Sequence, residues 1–151
     1  MAGKMAPRRA RTVSHACGRL CSVTRILLIE DNELNRDMLR RRLERRGYSV
    51  LVAFDGASGL AAVRADRPDL VLMDIRLPDM DGHDLAKALK AAADTRHVPV
   101  IALTAHAMEG DRAAALQAGC DEYDTKPVDL PRLMGLIEGL LRRSASQRPV
   151  Q

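Results

Sequence analysis

Five short strand-like runs recur along this chain, and a helix-forming stretch follows each of them. The runs are Arg25-Ile26-Leu27-Leu28-Ile29, Ser49–Ala53, Leu70–Asp74, Pro99–Leu103 and Glu122–Thr125. The intervening period predicts helices over 33–46, 56–65, 82–92, 109–118 and 129–142. Asn32 is a good N-cap for the first helix, whose Leu34, Met38, Leu39 and Leu43 are expected to face inward, with Gly47 past its end. Pro68 precedes the third strand, Gly82 opens the third helix and Gly119 ends the fourth. Strict alternation of strand and helix implies a parallel sheet covered by helices on both faces. Right-handed crossovers then require the winding direction to reverse once. The expected fold is α/β, a flavodoxin-like (βα)5 doubly wound parallel sheet with strand order 2-1-3-4-5.

Such sheets bind ligands in a crevice beyond the carboxyl ends of the strands at the switch point. Here those are the ends of the first and third strands, which carry Glu30-Asp31 and Asp74. Asp74 closes the apolar run Leu70-Val71-Leu72-Met73, where an acid is costly unless something beyond the strand uses it. Three carboxylates brought together repel and raise one another's pKa unless a cation is present. Hard oxygen donors without soft partners point to Mg2+. Helix capping or simple solvation would account for any one of these acids, but poorly for three at adjacent strand ends.

Two further strand ends add to the set. Thr104 closes the fourth strand with a hydroxyl, and Lys126 closes the fifth with an ammonium that would neutralise an anionic group on Asp74. Alone, Thr104 would be an ordinary turn residue and Lys126 a solvated surface lysine. Pro127 makes Lys126-Pro127 a candidate cis bond that would aim the lysine inward. Together these residues describe a Mg2+ site that receives a tetrahedral oxyanion, with Asp74 as nucleophile and Thr104 and Lys126 on the equatorial oxygens. Attack of a carboxylate on phosphorus gives an acyl phosphate.

Composition limits the rest. The 151 residues suffice for one domain, and 46% hydrophobic with 29% charged residues fits a soluble globular protein. No apolar stretch approaches the roughly 20 residues that span a bilayer. The formal charge of +4 comes from the first 24 residues, which hold Lys4, Arg8, Arg9, Arg11 and Arg19 and no acid. Beyond them 19 Lys and Arg face 20 acids, so nucleic-acid binding is not expected. Residues 1–24 are expected to be a disordered basic extension, similar in composition to an organelle transit peptide or read from an overcalled start codon. The folded domain is expected over 25–142, and 143–151 as a disordered tail. Three cysteines, Cys17, Cys21 and Cys120, with no signal-peptide core, fit a cytoplasmic protein. Cys120 is expected to be a small buried hydrophobe. His15, Cys17 and Cys21 lack the second ligand cluster that a zinc site needs.

Glu30-Asp31, Met73-Asp74, Leu77-Pro78 with Asp81-Gly82, Leu103-Thr104-Ala105 and Lys126-Pro127 together resemble the signature of the response-regulator receiver domain. The intervals fit as well, thirty residues from Asp74 to Thr104 and twenty-two more to Lys126. The likeness spans 25–142 and is strongest toward stand-alone regulators of cell division and the receivers of hybrid sensor kinases. It implies that a histidine kinase or histidine phosphotransfer protein phosphorylates Asp74. It also implies Mg2+ held by Asp31, Asp74 and the backbone carbonyl of Arg76, with Glu30 acting mainly through water. Tyr123, three residues before Lys126, matches the family's aromatic switch. By the same resemblance, phosphorylation draws Thr104 toward the phosphoryl group and lets Tyr123 turn inward, remodelling the helix 4, strand 5 and helix 5 face. Arg76 and His106, two residues after Asp74 and Thr104, match positions bordering the path of hydrolytic water and are expected to tune acyl-phosphate lifetime.

Three functions fit this reading. The first is a single-domain response regulator that signals by protein–protein contact, because the ten residues after Leu141 are too few for a DNA-binding or enzymatic output domain. The chain is then a phosphoacceptor promoting its own phosphorylation and dephosphorylation, not an enzyme acting on other substrates. The second is a phosphorelay intermediate that passes phosphate to a histidine phosphotransfer protein. The third is a flavodoxin-like cofactor binder or a haloacid-dehalogenase-like phosphatase. The cofactor binder lacks a phosphate loop after the first strand, and the phosphatase lacks its second aspartate, since Arg76 stands there.

Overall fold

The computed structural model describes residues 23–105 and 111–147. Five strands, β1 (Arg25–Ile29), β2 (Ser49–Ala53), β3 (Leu70–Asp74), β4 (Val100–Thr104) and β5 (Glu122–Thr125), form one sheet of order β2-β1-β3-β4-β5. Every pairing is parallel, and the register sets Ile29 beside Met73, Asp74 beside Leu103 and Thr104 beside Thr125. Five helices alternate with the strands: α1 (Glu33–Arg45), α2 (Gly56–Asp66), α3 (Gly82–Ala91), α4 (Asp111–Gln117) and α5 (Leu130–Gln147). The expected flavodoxin-like order is the one found.

Side chains alternate across a strand, so each buried strand feeds two cores. Ile26, Leu28, Leu70, Leu72, Ile101 and Leu103 meet α1 and α5 through Leu39, Leu43, Leu133 and Ile137. Leu27, Ile29, Val71, Met73, Val100 and Ala102 meet α2, α3 and α4 through Val63, Leu85, Leu89 and Ala115. All residues of β3 and β4 are buried, which is why those strands read as continuous apolar runs.

Helix starts are fixed by side-chain caps. The Asn35 N–H donates to Asn32, Asp55 and Ser58 form a reciprocal capping box on α2, and the His83 N–H donates to Asp81 at the start of α3.

Two expectations need correction. Leu39 and Leu43 of α1 are buried, but Leu34 and Met38 are 80% and 44% exposed. At about 100° per residue, Leu34 lies some 140° around the helix from Leu39, so one buried stripe does not hold both. Leu34 and Met38 instead line an open concavity with Arg41, Arg42 and Arg45. The second correction concerns the chain end, where α5 runs to Gln147 and so takes in 143–147 of the expected tail. No Gly or Pro stands between Gly139 and Pro149, and Arg143 reaches Glu122 of β5 at 3.7 Å. Residues 1–22, with His15, Cys17 and Cys21, lie outside the described residues, as do His106 and the last residues from Arg148 onward.

Cys120 follows Gly119, whose φ of +109° suits glycine, and it is 4% exposed in the core beneath α3 and α4. Burial pushes its thiol up to about 11. In a Cys17→Ser/Cys21→Ser variant, Cys120 should stay unmodified by a disulfide thiol reagent at pH 8 and react fully once urea unfolds the chain. Fast native-state labelling would contradict this burial.

Candidate functional site

β1 and β3 lie side by side at the centre of the sheet, so the residues that leave their carboxyl ends must meet. Glu30, Asp31 and Asp74 do so, with one carboxylate oxygen of each lying within 4.8 Å of the others. Glu30 and Asp74 are 2% and 7% exposed, whereas Asp31 is open to solvent. Lys126 enters directly after β5, and its bond to Pro127 is cis. Its Nζ donates to Glu30 Oε1 at 2.7 Å and to Asp74 Oδ2 at 3.0 Å.

Burial raises the Glu30 carboxyl above its ordinary range, and the Lys126 ammonium only partly offsets this. Burial works against a charged Lys126 as well, yet its hydrogen bonds to Glu30 and Asp74 prevail and raise its pKa above the ordinary 10.5. One ammonium therefore pairs with two of three clustered carboxyl groups. The surplus of anionic oxygen suits a divalent cation with hard-ligand preference.

The remaining bonds decide which oxygens are available. Both Glu30 oxygens already accept, Oε1 from Lys126 and Oε2 from the Asn32 N–H at 3.1 Å. Asp74 Oδ1 accepts from the Arg76 N–H at 3.0 Å. Asp31 is the carboxylate that faces solvent. Thr104 is 5% exposed and ends β4 beside the Lys126 backbone, whose N–H donates to the Thr104 carbonyl at 2.7 Å. The Arg76 side chain projects into solvent at the rim.

The loop from Ile75 to Asp81 is closed at its base. Arg76 and Asp81 form an isolated antiparallel bridge, and the Gly82 N–H donates to the Ile75 carbonyl at 2.7 Å. A Cβ on Gly82 would stand 2.7 Å from Ile75 Cα and 2.9 Å from the Asp74 carbonyl oxygen, so glycine is required by close backbone approach.

Tyr123 lies on the α2–α4 side of β5, partly buried against the core with its hydroxyl oxygen out of solvent. Its neighbour Asp124 points to the other face, 4% exposed, and accepts at Oδ1 from Arg132 Nη2 at 2.7 Å and Nε at 2.9 Å.

Sequence reading missed two supports of the site. The Arg36 guanidinium donates to the Glu30 carbonyl at 2.9 Å and lies 4.4 Å from the Phe54 ring centroid. The signal, an arginine in the first turns after the acids, is too common to single out. Asp79 accepts from the Gly56 and Ala57 N–H groups, and those bonds hold its carboxyl below the usual carboxylate range. No local pattern announces a contact across more than twenty residues.

Known proteins share this arrangement. Residues 26–138 match the family described as the response regulator receiver domain. The polar-differentiation response regulator DivK of Brucella anthropi is 42% identical over 116 residues, covering 77% of this chain and 94% of that protein. A CheY-like response regulator receiver domain protein from Methanospirillum hungatei superposes with a TM-score of 0.78 at 31% identity, covering 84% of this chain and 100% of its own. The receiver domain of a sensor histidine kinase of Pseudomonas aeruginosa, solved with magnesium coordinated in its active-site cleft, gives a TM-score of 0.74 at 37% identity over 80% of this chain and 98% of its own.

Removing the ammonium leaves two buried acids facing each other, so Lys126→Met should cost about 3 kcal/mol in urea unfolding at pH 8. The wild-type pair has its own pH signature. A lysine whose folded pKa is raised stabilises fully below 10.5 and loses that contribution as pH rises through the higher folded value. Unfolding curves from pH 8 to 11.5 should show this decline in the wild type and not in Lys126→Met.

Proposed function

The chain belongs to the response-regulator receiver family of two-component signalling, and on that premise we propose that Asp74 is its phosphoryl acceptor. One observation carries this assignment. Asp74 shares Lys126 with Glu30 at 3.0 and 2.7 Å while standing in a three-carboxylate cluster at the switch point of the sheet.

The donor is the phosphohistidine of a histidine kinase or histidine phosphotransfer protein. An Asp74 carboxylate oxygen forms the new O–P bond as the P–N bond breaks, and the electron pair returns to the donor imidazole. The Lys126 ammonium and the Thr104 hydroxyl hold the equatorial oxygens and balance the charge that Asp74 gains. Asp31, Asp74 and the Arg76 carbonyl would hold Mg2+, with Glu30 acting through water. When bound, the metal supplies charge neutralisation between the acids and the incoming phosphoryl group.

Readout follows from Thr104. Drawn toward the phosphoryl group, it leaves space on the far side of β4 that fixes Tyr123 inward, and the α4–β5–α5 face changes shape for a downstream protein. The chain speeds its own phosphorylation and hydrolysis without acting on a separate substrate, and we place this exchange in the cytoplasm.

Incubation with acetyl phosphate and Mg2+ should add one phosphoryl group by intact mass. Asp74→Asn and EDTA should each abolish the addition, and uptake that survives Asp74→Asn would defeat the assignment. Arg76→Ala and His106→Ala should each change the half-life of the phosphorylated protein by more than twofold. Unchanged decay in both would remove them from the water path.

A further inference from the structure

The loop that carries Arg76 projects between Asp74 and α3, and its base is fixed by the Arg76–Asp81 bridge and the Gly82–Ile75 hydrogen bond. Its tip has a different anchor. The Gly56 and Ala57 N–H groups, the first two of α2, donate to Asp79 Oδ1 and Oδ2 at 2.7 and 2.9 Å. Met80 packs on the same turn so closely that a Cβ on Gly56 would overlap its side chain. Asp79 and Met80 are thus both seated on the start of a helix more than twenty positions earlier.

Helix capping alone does not account for this contact. α2 already has its own N-cap in Asp55, which accepts from the Ser58 N–H at 2.8 Å within a complete capping box. Asp79 takes the two N–H groups that Asp55 leaves, where the helix dipole favours an anion. The helix is defined without Asp79. The loop, rich in residues that face solvent, is not.

We infer that Asp79 is a positioning residue for the phosphorylation site, clamping the loop onto α2 so that the Arg76 backbone stays where a metal held by Asp31 and Asp74 can use it. This rests on the Mg2+ reading above. Asp79 touches neither metal nor phosphoryl group; it acts through the four residues that separate it from Asp74. α2 thereby becomes the rigid wall against which the acid cluster is set. Groups that hold metal ligands in place typically change metal affinity by ten- to a hundredfold when lost.

The test is a calorimetric Mg2+ titration of the full chain without phosphodonor, run beside thermal melts. Asp79→Ala should weaken Mg2+ binding by about tenfold. Asp79→Asn keeps one carbonyl acceptor and should fall between it and the wild type. Asp55→Ala, which damages the same helix end but does not touch the loop, should lower the melting temperature and leave Mg2+ affinity within twofold. An Asp79→Ala affinity within twofold of wild type overturns the inference, and so does an equal loss in Asp55→Ala. Failure of the wild type to bind Mg2+ would instead remove the metal reading, and this inference with it.

Discussion

A single ammonium shared by two buried carboxylates holds together the working edge of this sheet. Lys126 lies 96 residues from Glu30 and 52 from Asp74, and through them it joins the ends of β1, β3 and β5. Buried acids at adjacent strand ends would otherwise repel each other in a medium that screens poorly. The lysine makes their burial tolerable, yet one positive charge does not satisfy three acids. That imbalance ties stability to reactivity: the edge is held closed enough to fold and left anionic enough to attract a cation.

The sheet supplies the frame. Because β1, β3 and β4 are covered on both faces, chemistry is displaced to their carboxyl ends, to Asp74 and Thr104 as the last residues of β3 and β4 and to Glu30-Asp31 just after β1. The two cores also separate duties. α2 and α3, on one face, start beside the acid cluster and shape its rim through Asp79 and Gly82. On the other face α1 begins directly after the acids, and Arg36 of its first turns grips the Glu30 carbonyl. At β5 the faces carry opposite chemistry, an inward tyrosine on one and a buried aspartate locked to Arg132 on the other.

Much of this was legible because it follows from local rules. Strands buried on both sides read as apolar runs, and alternation with helices leaves few ways to order five parallel strands. Asp74 and Thr104 could be singled out because each stands where an apolar run stops, and Lys126 because it follows the last strand directly before a proline. Leu34 and Met38 misled, since an apolar residue near the right period reads as inward until the helix phase is fixed by Leu39 and Leu43. The end of α5 was set too early because Arg, Ser and Gln resemble a tail unless their contact with β5 is known. Asp79 is invisible to a local window of sequence because its backbone partners stand more than twenty residues away, whereas Arg36, six residues from Glu30, carries no distinguishing pattern.

Gly82 has a mechanical consequence. Where most helices lean on a strand through side chains that can rotate or compress, the first residue of α3 meets β3 backbone to backbone, with no room for even a methyl group. Nothing soft lies between them. A close backbone contact of this kind leaves α3 little room to shift without shifting the peptide that carries Asp74. Asp74 and the start of the helix behind it are thus coupled through backbone alone.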